Sequence, residues 1–177
     1  MGHDPAGVAS RISRVIRARP ETLYAAFLDP ASLLAWLPPA QMTGIIHHFD
    51  GRVGGGYLMS LLYPPDERVF RGKTSDKEDR IAVRFLELAP PRRIVETVRF
   101  LTADPAFRGE MKLTVSFELV PAGTEVALLF ENLPPGLHPA DNEAGARLSL
   151  DQLAHFHEAV AAAVKEECIA SSWHSSR

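Results

Sequence analysis

Apolar residues recur at every second position through most of the chain, and the period changes to that of a helix in two regions. The cleanest alternation spans residues 110–119. Met111, Leu113, Val115, Phe117 and Leu119 face one way, while Glu110, Lys112, Thr114, Ser116 and Glu118 face the other. That is a strand with one dry and one wet side. Pro121-Ala122-Gly123 turns the chain into residues 124–131, where Val126, Leu128 and Phe130 continue the dry face, so the two strands predict a hairpin. Residues 81–86 and 93–101 alternate in the same manner across the tight connection Ala89-Pro90-Pro91-Arg92. Further upstream, residues 9–18 and 42–49 read as strands, the second with Ile45, His47 and Phe49 on one face. Val69 to Gly72 predicts a short extra strand, residues 73–80 a solvated loop of mixed charge, and residues 102–109 another loop.

The helical regions sit at opposite ends. Pro20 and Glu21 suit the first turn of a short helix over residues 20–28, with Leu23, Ala26 and Phe27 as its apolar stripe. Asp29 is placed to cap a second helix that Pro30 opens, Trp36 lies at its end, and Pro38-Pro39 stops it. Residues 132–140 hold three prolines and predict neither helix nor central strand. From Asp141 or Asn142 to about Glu167 the chain lacks proline, and Leu150, Leu153, Phe156 or His157, Val160 and Val164 recur at helical spacing. Such a helix is roughly 35 Å long, enough to cross a domain.

After the second predicted strand comes DGRVGGGYLMSLLYPP, residues 50–65, which holds the third predicted strand over residues 56–63. Gly54, Gly55 and Gly56 lack the spacing of GxGxxG or GxxxxGK[ST] and precede a strand rather than a helix, which excludes a phosphate loop. They suit a bulge or a tight turn into the strand. Tyr57, Met59, Leu61 and Tyr63 then share one strand face.

Strand, two short helices, a run of antiparallel strands and one long helix make an α+β chain. The sheet's dry face needs a cover, and the last helix is the large apolar element available. The expected architecture is therefore a curved antiparallel sheet around the C-terminal helix, in one domain over residues 9–167 with flexible termini at 1–8 and 168–177. The space between sheet and helix is the natural pocket.

Composition narrows the partners. The formal net charge is −3, so no strong positive field favours nucleic acid, and no apolar run reaches transmembrane length. Residues 1–10 show no apolar core of a signal peptide, and the lone Cys168 suits a reducing cytoplasm and reads as a bystander. Adjacent His47 and His48 point to opposite faces of a strand, and His155 and His157 splay apart on a helix, so no metal site is expected. No GxSxG elbow supports serine catalysis. No cofactor is implied.

The chain also resembles the SRPBCC superfamily, called START-like or Bet v 1-like, and within it the branch named after the activator of heat-shock-protein-90 ATPase. The resemblance rests on ARPETLYAAFLDPASLLAWLPP, FDGRVGGGYLMSLLYPP, LELAPPRRIVETV, GTEVALLFENLPP and DNEAGARLSLDQLAHF, in that order over residues 11–160. It implies a helix-grip fold, a seven-stranded antiparallel sheet gripping the long helix over a hydrophobic cavity. The family usually has tryptophan after the glycine that begins the last helix; here Gly145 is followed by Ala146. Relatives include lipid carriers, polyketide cyclases and chaperone cofactors, and a shared fold does not fix function.

The residues expected around a cavity are Trp36, Tyr57, Met59, Leu61, Tyr63, Phe85, Val115, Phe117, Leu153 and His157. The four of the tyrosine strand are read equally as ordinary core, and Trp36 more readily as a wedge between helix and sheet. His157, at the edge of the helical stripe, is the one acid–base candidate, with Glu96 and Arg99 as partners; a semi-buried histidine without function is the plainer reading. Three functions follow: binding of a small apolar or amphipathic molecule, cyclase- or dehydratase-like chemistry on such a molecule, and a chaperone-interaction module that rests on the family name. A homodimer stays open.

Overall fold

The structure, a computed structural model, describes residues 9–174, with side chains described for 9–161 and 163–165. The expected leader 1–8 and the side chain of Cys168 lie outside these residues.

Seven strands form one antiparallel sheet in the order β1-β7-β6-β5-β4-β3-β2. They are β1 (Ser10–Ile16), β2 (Thr43–Asp50), β3 (Gly56–Leu62), β4 (Glu78–Ala89), β5 (Arg93–Phe100), β6 (Met111–Val120) and β7 (Gly123–Glu131). Every neighbour from β2 to β7 is its own chain neighbour, so hairpins build the sheet and only β1 is brought in from a distance. The short helices α1 (Pro20–Ala26) and α2 (Pro30–Trp36) follow β1, and α3 (Pro139–His174) closes the chain. Together these elements make the curved sheet around a long helix that the sequence predicts.

Local chemistry explains the boundaries. Pro20 opens α1 with Glu21 in its first turn. Asp29 Oδ2 accepts from the Ser32 amide at 2.7 Å and caps α2. The glycine run is the bend into β3: Gly54 has φ +82, and a Cβ on Gly56 would meet the Val83 carbonyl oxygen at 1.9 Å. β3 can lie this close to β4 only with a bare α-carbon there.

Several expectations are corrected. A bulge between Ile46 and His48 shifts the register of β2, so Ile46 and Phe49 pack on the core while Ile45 is exposed. Ile45, His47 and Phe49 thus do not share a face. Residues 69–72 form no strand, and Val69 and Phe70 are exposed. Residues 73–80 are not a solvated loop: β4 begins at Glu78, and Asp79 is buried against Lys73. Helix α3 starts at Pro139, a position that needs no amide donor, and runs to His174, so its length is about 54 Å. Val160 and Val164, which helical spacing puts in its apolar stripe, are exposed. Leu119 is likewise exposed, because the dry face of β6 ends at Phe117.

Helix α3 is tied to the rest of the chain at several points. Gln152 Nε2 donates to the Trp36 and Pro38 carbonyls at 2.8 and 2.6 Å, and Ser149 Oγ to the Leu37 carbonyl at 2.7 Å. Asn142 Nδ2 donates to Ser10 Oγ at 2.8 Å, and Arg14 pairs with Asp151. The helix is thereby fixed over β1 and α2 at one edge, while the middle of the sheet is spanned without such ties.

Candidate ligand-binding cavity

Under the first turns of α3 the interior is not filled. A cavity of ≈ 210 Å³ lies between α3, α2 and the inward side chains of β3 to β7. Its floor is apolar, with Val98, Met111, Leu113, Leu128 and Phe130 from the sheet. Phe27, Leu33 and Trp36 close one side, and Gly145, Ala146 and Ser149 form the roof. Asp141 on its rim is exposed, so the cavity opens at the start of α3.

Inward positions on β5 are Ile94, Glu96, Val98 and Phe100, one after another. A glutamate in that series is forced into the interior. Glu96 is 5% exposed, lines the cavity and, among the described residues, accepts no hydrogen bond. Burial pushes its carboxyl up to about 8, so it stays protonated at neutral pH. Tyr57 on β3 also lines the cavity at 7% exposure with no hydrogen-bond partner among the described residues. Burial holds its phenol well above the ordinary value, and the nearby Glu96 charge adds to that. The two side chains are therefore within electrostatic reach of one another. They come from strands two apart in the sheet, and β4 between them presents Val83 and Phe85.

A third polar group sits at the other edge. Lys73 Nζ donates to Asp79 Oδ2 at 2.7 Å, the Lys73 amide bonds Asp79 Oδ1 at 2.5 Å, and the Tyr63 hydroxyl lies 3.3 Å from Asp79 Oδ2. Burial works against the lysine charge, but the Asp79 carboxylate beside it holds Lys73 above the usual value. Lys73 also lies over the Phe100 ring at 5.5 Å. This closed pair adds no net charge to the cavity.

The structure divides the expected site residues. Trp36, Tyr57 and Leu61 line the cavity. Trp36 is a wedge as well: its Nε1 donates to the Ala26 carbonyl at 3.1 Å and its ring packs on Phe27 at 4.6 Å. Met59, Phe85, Val115, Phe117 and Leu153 pack in the solid core beside the cavity, and Tyr63 is held on Asp79 past the end of β3. His157 is not brought to the cavity. It lies half-buried on α3 beside Phe156, its Nε2 without a partner, and burial lowers its pKa. Glu96 faces inward and Arg99 outward, so the three are not assembled into an acid–base group. Among the described residues no three of His, Cys, Asp and Glu cluster to hold a metal. No described helix is long and apolar enough to cross a membrane.

Comparison with known proteins places this geometry. Residues 17–158 match the family described as Activator of Hsp90 ATPase homolog 1-like protein. A crystal structure of a Chromobacterium violaceum protein is 33% identical with a TM-score of 0.74, covering 84% of this chain and 95% of that one. A Rhodobacter sphaeroides protein is 22% identical with a TM-score of 0.68, over 89% and 97% of the two chains. The solution structure of an AHSA1-like protein from Aeromonas hydrophila, at 19% identity and a TM-score of 0.65, covers 87% and 94%. No curated protein matches the chain. The family match spans most of the sequence and includes both walls of the cavity, and the chain belongs to the Activator of Hsp90 ATPase homolog 1-like family.

Proposed function

We propose that the protein binds a compact, largely apolar small molecule in the cavity beneath α3. The observation that carries this reading is an apolar space of ≈ 210 Å³ into which two buried oxygen-bearing side chains, Tyr57 and Glu96, turn without protein partners. Unpaired buried polar groups are costly, and a ligand that meets them removes the cost. The volume sets the scale. An apolar cavity of ~150 Å³ accepts benzene, whereas drug-sized ligands fill roughly 300–1,000 Å³. One or two fused rings, or a short branched chain, fit this space; a long-chain lipid does not.

A catalytic reading is favoured by one feature, the Glu96 carboxyl at about 8, close enough to neutrality to exchange a proton with a bound molecule. Assembly onto a chaperone, suggested by the family's description, would fall on the open apolar groove that Ala35, Leu148, Phe156 and Val160 line between α2 and α3. The unfilled interior supports the ligand reading over that one.

Native mass spectrometry of protein purified from its own host tests the proposal. The expected result is an added mass of a small molecule that leaves on denaturation. Nothing retained, together with no thermal shift from any compact apolar compound, overturns it.

A further inference from the structure

The cavity's polar equipment selects among compact apolar molecules. This step rests on the ligand-binding reading above. The charged groups around the cavity are Lys73 and Asp79, which neutralise one another at 2.7 Å, and Asp141 on the exposed rim. The walls supplied by β6, β7, α2 and Phe27 are apolar. Nothing there compensates an anionic ligand, since Lys73 is already engaged and Asp141 would repel it. A cationic ligand would have to ionise Glu96 inside apolar walls, where taking two charges from water is expensive even when they pair. An uncharged ligand is left.

That ligand must still answer two buried hydroxyl groups. The Tyr57 O–H and the protonated Glu96 O–H are both donors, both nine-tenths or more buried, and both turn into the same space. A carboxylic acid kept neutral by apolar surroundings donates a strong hydrogen bond, and a tyrosine beside it makes a two-donor seat for one oxygen. Their strands lie about 10 Å apart, two sheet spacings, and the length of the phenol narrows that gap from the β3 side. At the roof, Ser149 Oγ is committed to the Leu37 carbonyl and one Asn142 N–H to Ser10 Oγ, which leaves the second Asn142 N–H at the start of α3, beside the exposed Asp141.

We propose that the cavity's ligands are compact uncharged carbonyl compounds, held by hydrogen bonds from Tyr57 and Glu96 to a single carbonyl oxygen, with the ring or chain on the apolar floor of β5, β6 and β7. The seat depends on pH through Glu96. Below about 8 it is a donor; above, it is a carboxylate that repels a carbonyl oxygen. Tyr57 stays protonated throughout that range, since its phenol is held above the ordinary value.

Calorimetric titration of the full chain with three probes on one skeleton, indane, 1-indanone and 2-aminoindane, tests this at pH 6.5 and 9.5. In the protein as it is, 1-indanone is expected to bind at pH 6.5. The ratio of its affinity to that of indane should fall at least tenfold in the Tyr57→Phe, Glu96→Leu double variant, and by a similar factor at pH 9.5. Glu96→Gln, which keeps a donor, should retain most of the ratio and lose its pH dependence. If indane binds and the ratio is unmoved by the variants, the carbonyl seat is overturned while the cavity's role stands. Tighter binding of 2-aminoindane, lost in Glu96→Leu, likewise overturns it, because Glu96 would then act as an acceptor. Binding of none of the three overturns both the seat and the ligand-binding reading. Folding is not at risk in this design, since Glu96→Leu removes a buried carboxyl rather than creating one.

Discussion

The concave face of the sheet has two ends made by the same strands, one solid and the other hollow. At the solid end, Phe117 of β6 meets Tyr24 and Phe27 of the α1 segment at 5.6 and 5.3 Å between ring centres, and Ile16, Val115 and Val126 are fully buried around them. Four residues back along β6, Leu113 faces the cavity with Met111, and opposite it β5 offers Glu96 in place of a large apolar side chain. Helix α3 contributes Leu150 and Leu153 to the first end, and the small or polar Asp141, Asn142, Gly145, Ala146 and Ser149 to the second. Hollowness therefore comes from side-chain choice at a few inward positions, not from the path of the backbone. The chain keeps one rigid half to hold the geometry of the other.

The largest consequence of that contrast lies in Glu96. An unfolded glutamate gives up its proton near 4.5, whereas the folded carboxyl holds it to about 8. Between those values the folded state binds more protons, so stability falls as pH rises, and the loss is complete above about 8. Compared with Glu96→Gln, the protein should lose up to about 5 kcal/mol between pH 4.5 and pH 9. Urea unfolding of both proteins across that range measures the difference. A constant gap would mean that the carboxyl is hydrated and the hollow end open to bulk water.

Truncations at the two ends should differ next. Phe117→Ala removes a ring from a solid core and should cost about 4 kcal/mol. Leu113→Ala enlarges a space that already exists and loses fewer contacts, so about 2 kcal/mol is expected, at the low end for its type. Equal costs in urea unfolding would show that the hollow end collapses around its side chains.

How far the sequence shows this division can be seen residue by residue. The period of two on β6 and β7 and the proline signals at Pro20 and Pro30 are local, so strands, short helices and their order are legible, as is the long helix that must cover the sheet. The bulge in β2 is not, because it depends on how β3 pairs across from it. Tyr57 and Trp36 belong to the cavity and Phe117 and Val115 do not, although all four alternate or recur as core residues do. What separates them is which inward positions α1 and α2 press against, a tertiary fact. Glu96, named from the sequence only as a partner for His157, carries a signal the alternation offers: a charge at an inward position between Ile94 and Val98 marks a place where the core is not simply packed. Helical spacing alone puts His157 in the stripe, but that stripe is buried at Leu150 and Leu153 and exposed at Val160 and Val164, with His157 between them.

The smallest effect on stability is expected where the two ends differ most in what they tolerate. Val126 is fully buried in the solid end, so Val126→Phe must push its neighbours and should cost about 1–3 kcal/mol. Ala146 forms part of the cavity roof, directly after Gly145, at the position where the family resemblance leads one to expect tryptophan. A tryptophan there has the ≈ 210 Å³ space to enter, so Ala146→Trp should change stability by less than about 1 kcal/mol. The same ring occupies the volume a ligand would use, and binding of 1-indanone should fall at least tenfold. Stability with lost binding would locate the ligand in the space beneath Ala146. Instability like that of Val126→Phe would mean that the roof is already packed, and that the choice of alanine at this position does not make the cavity.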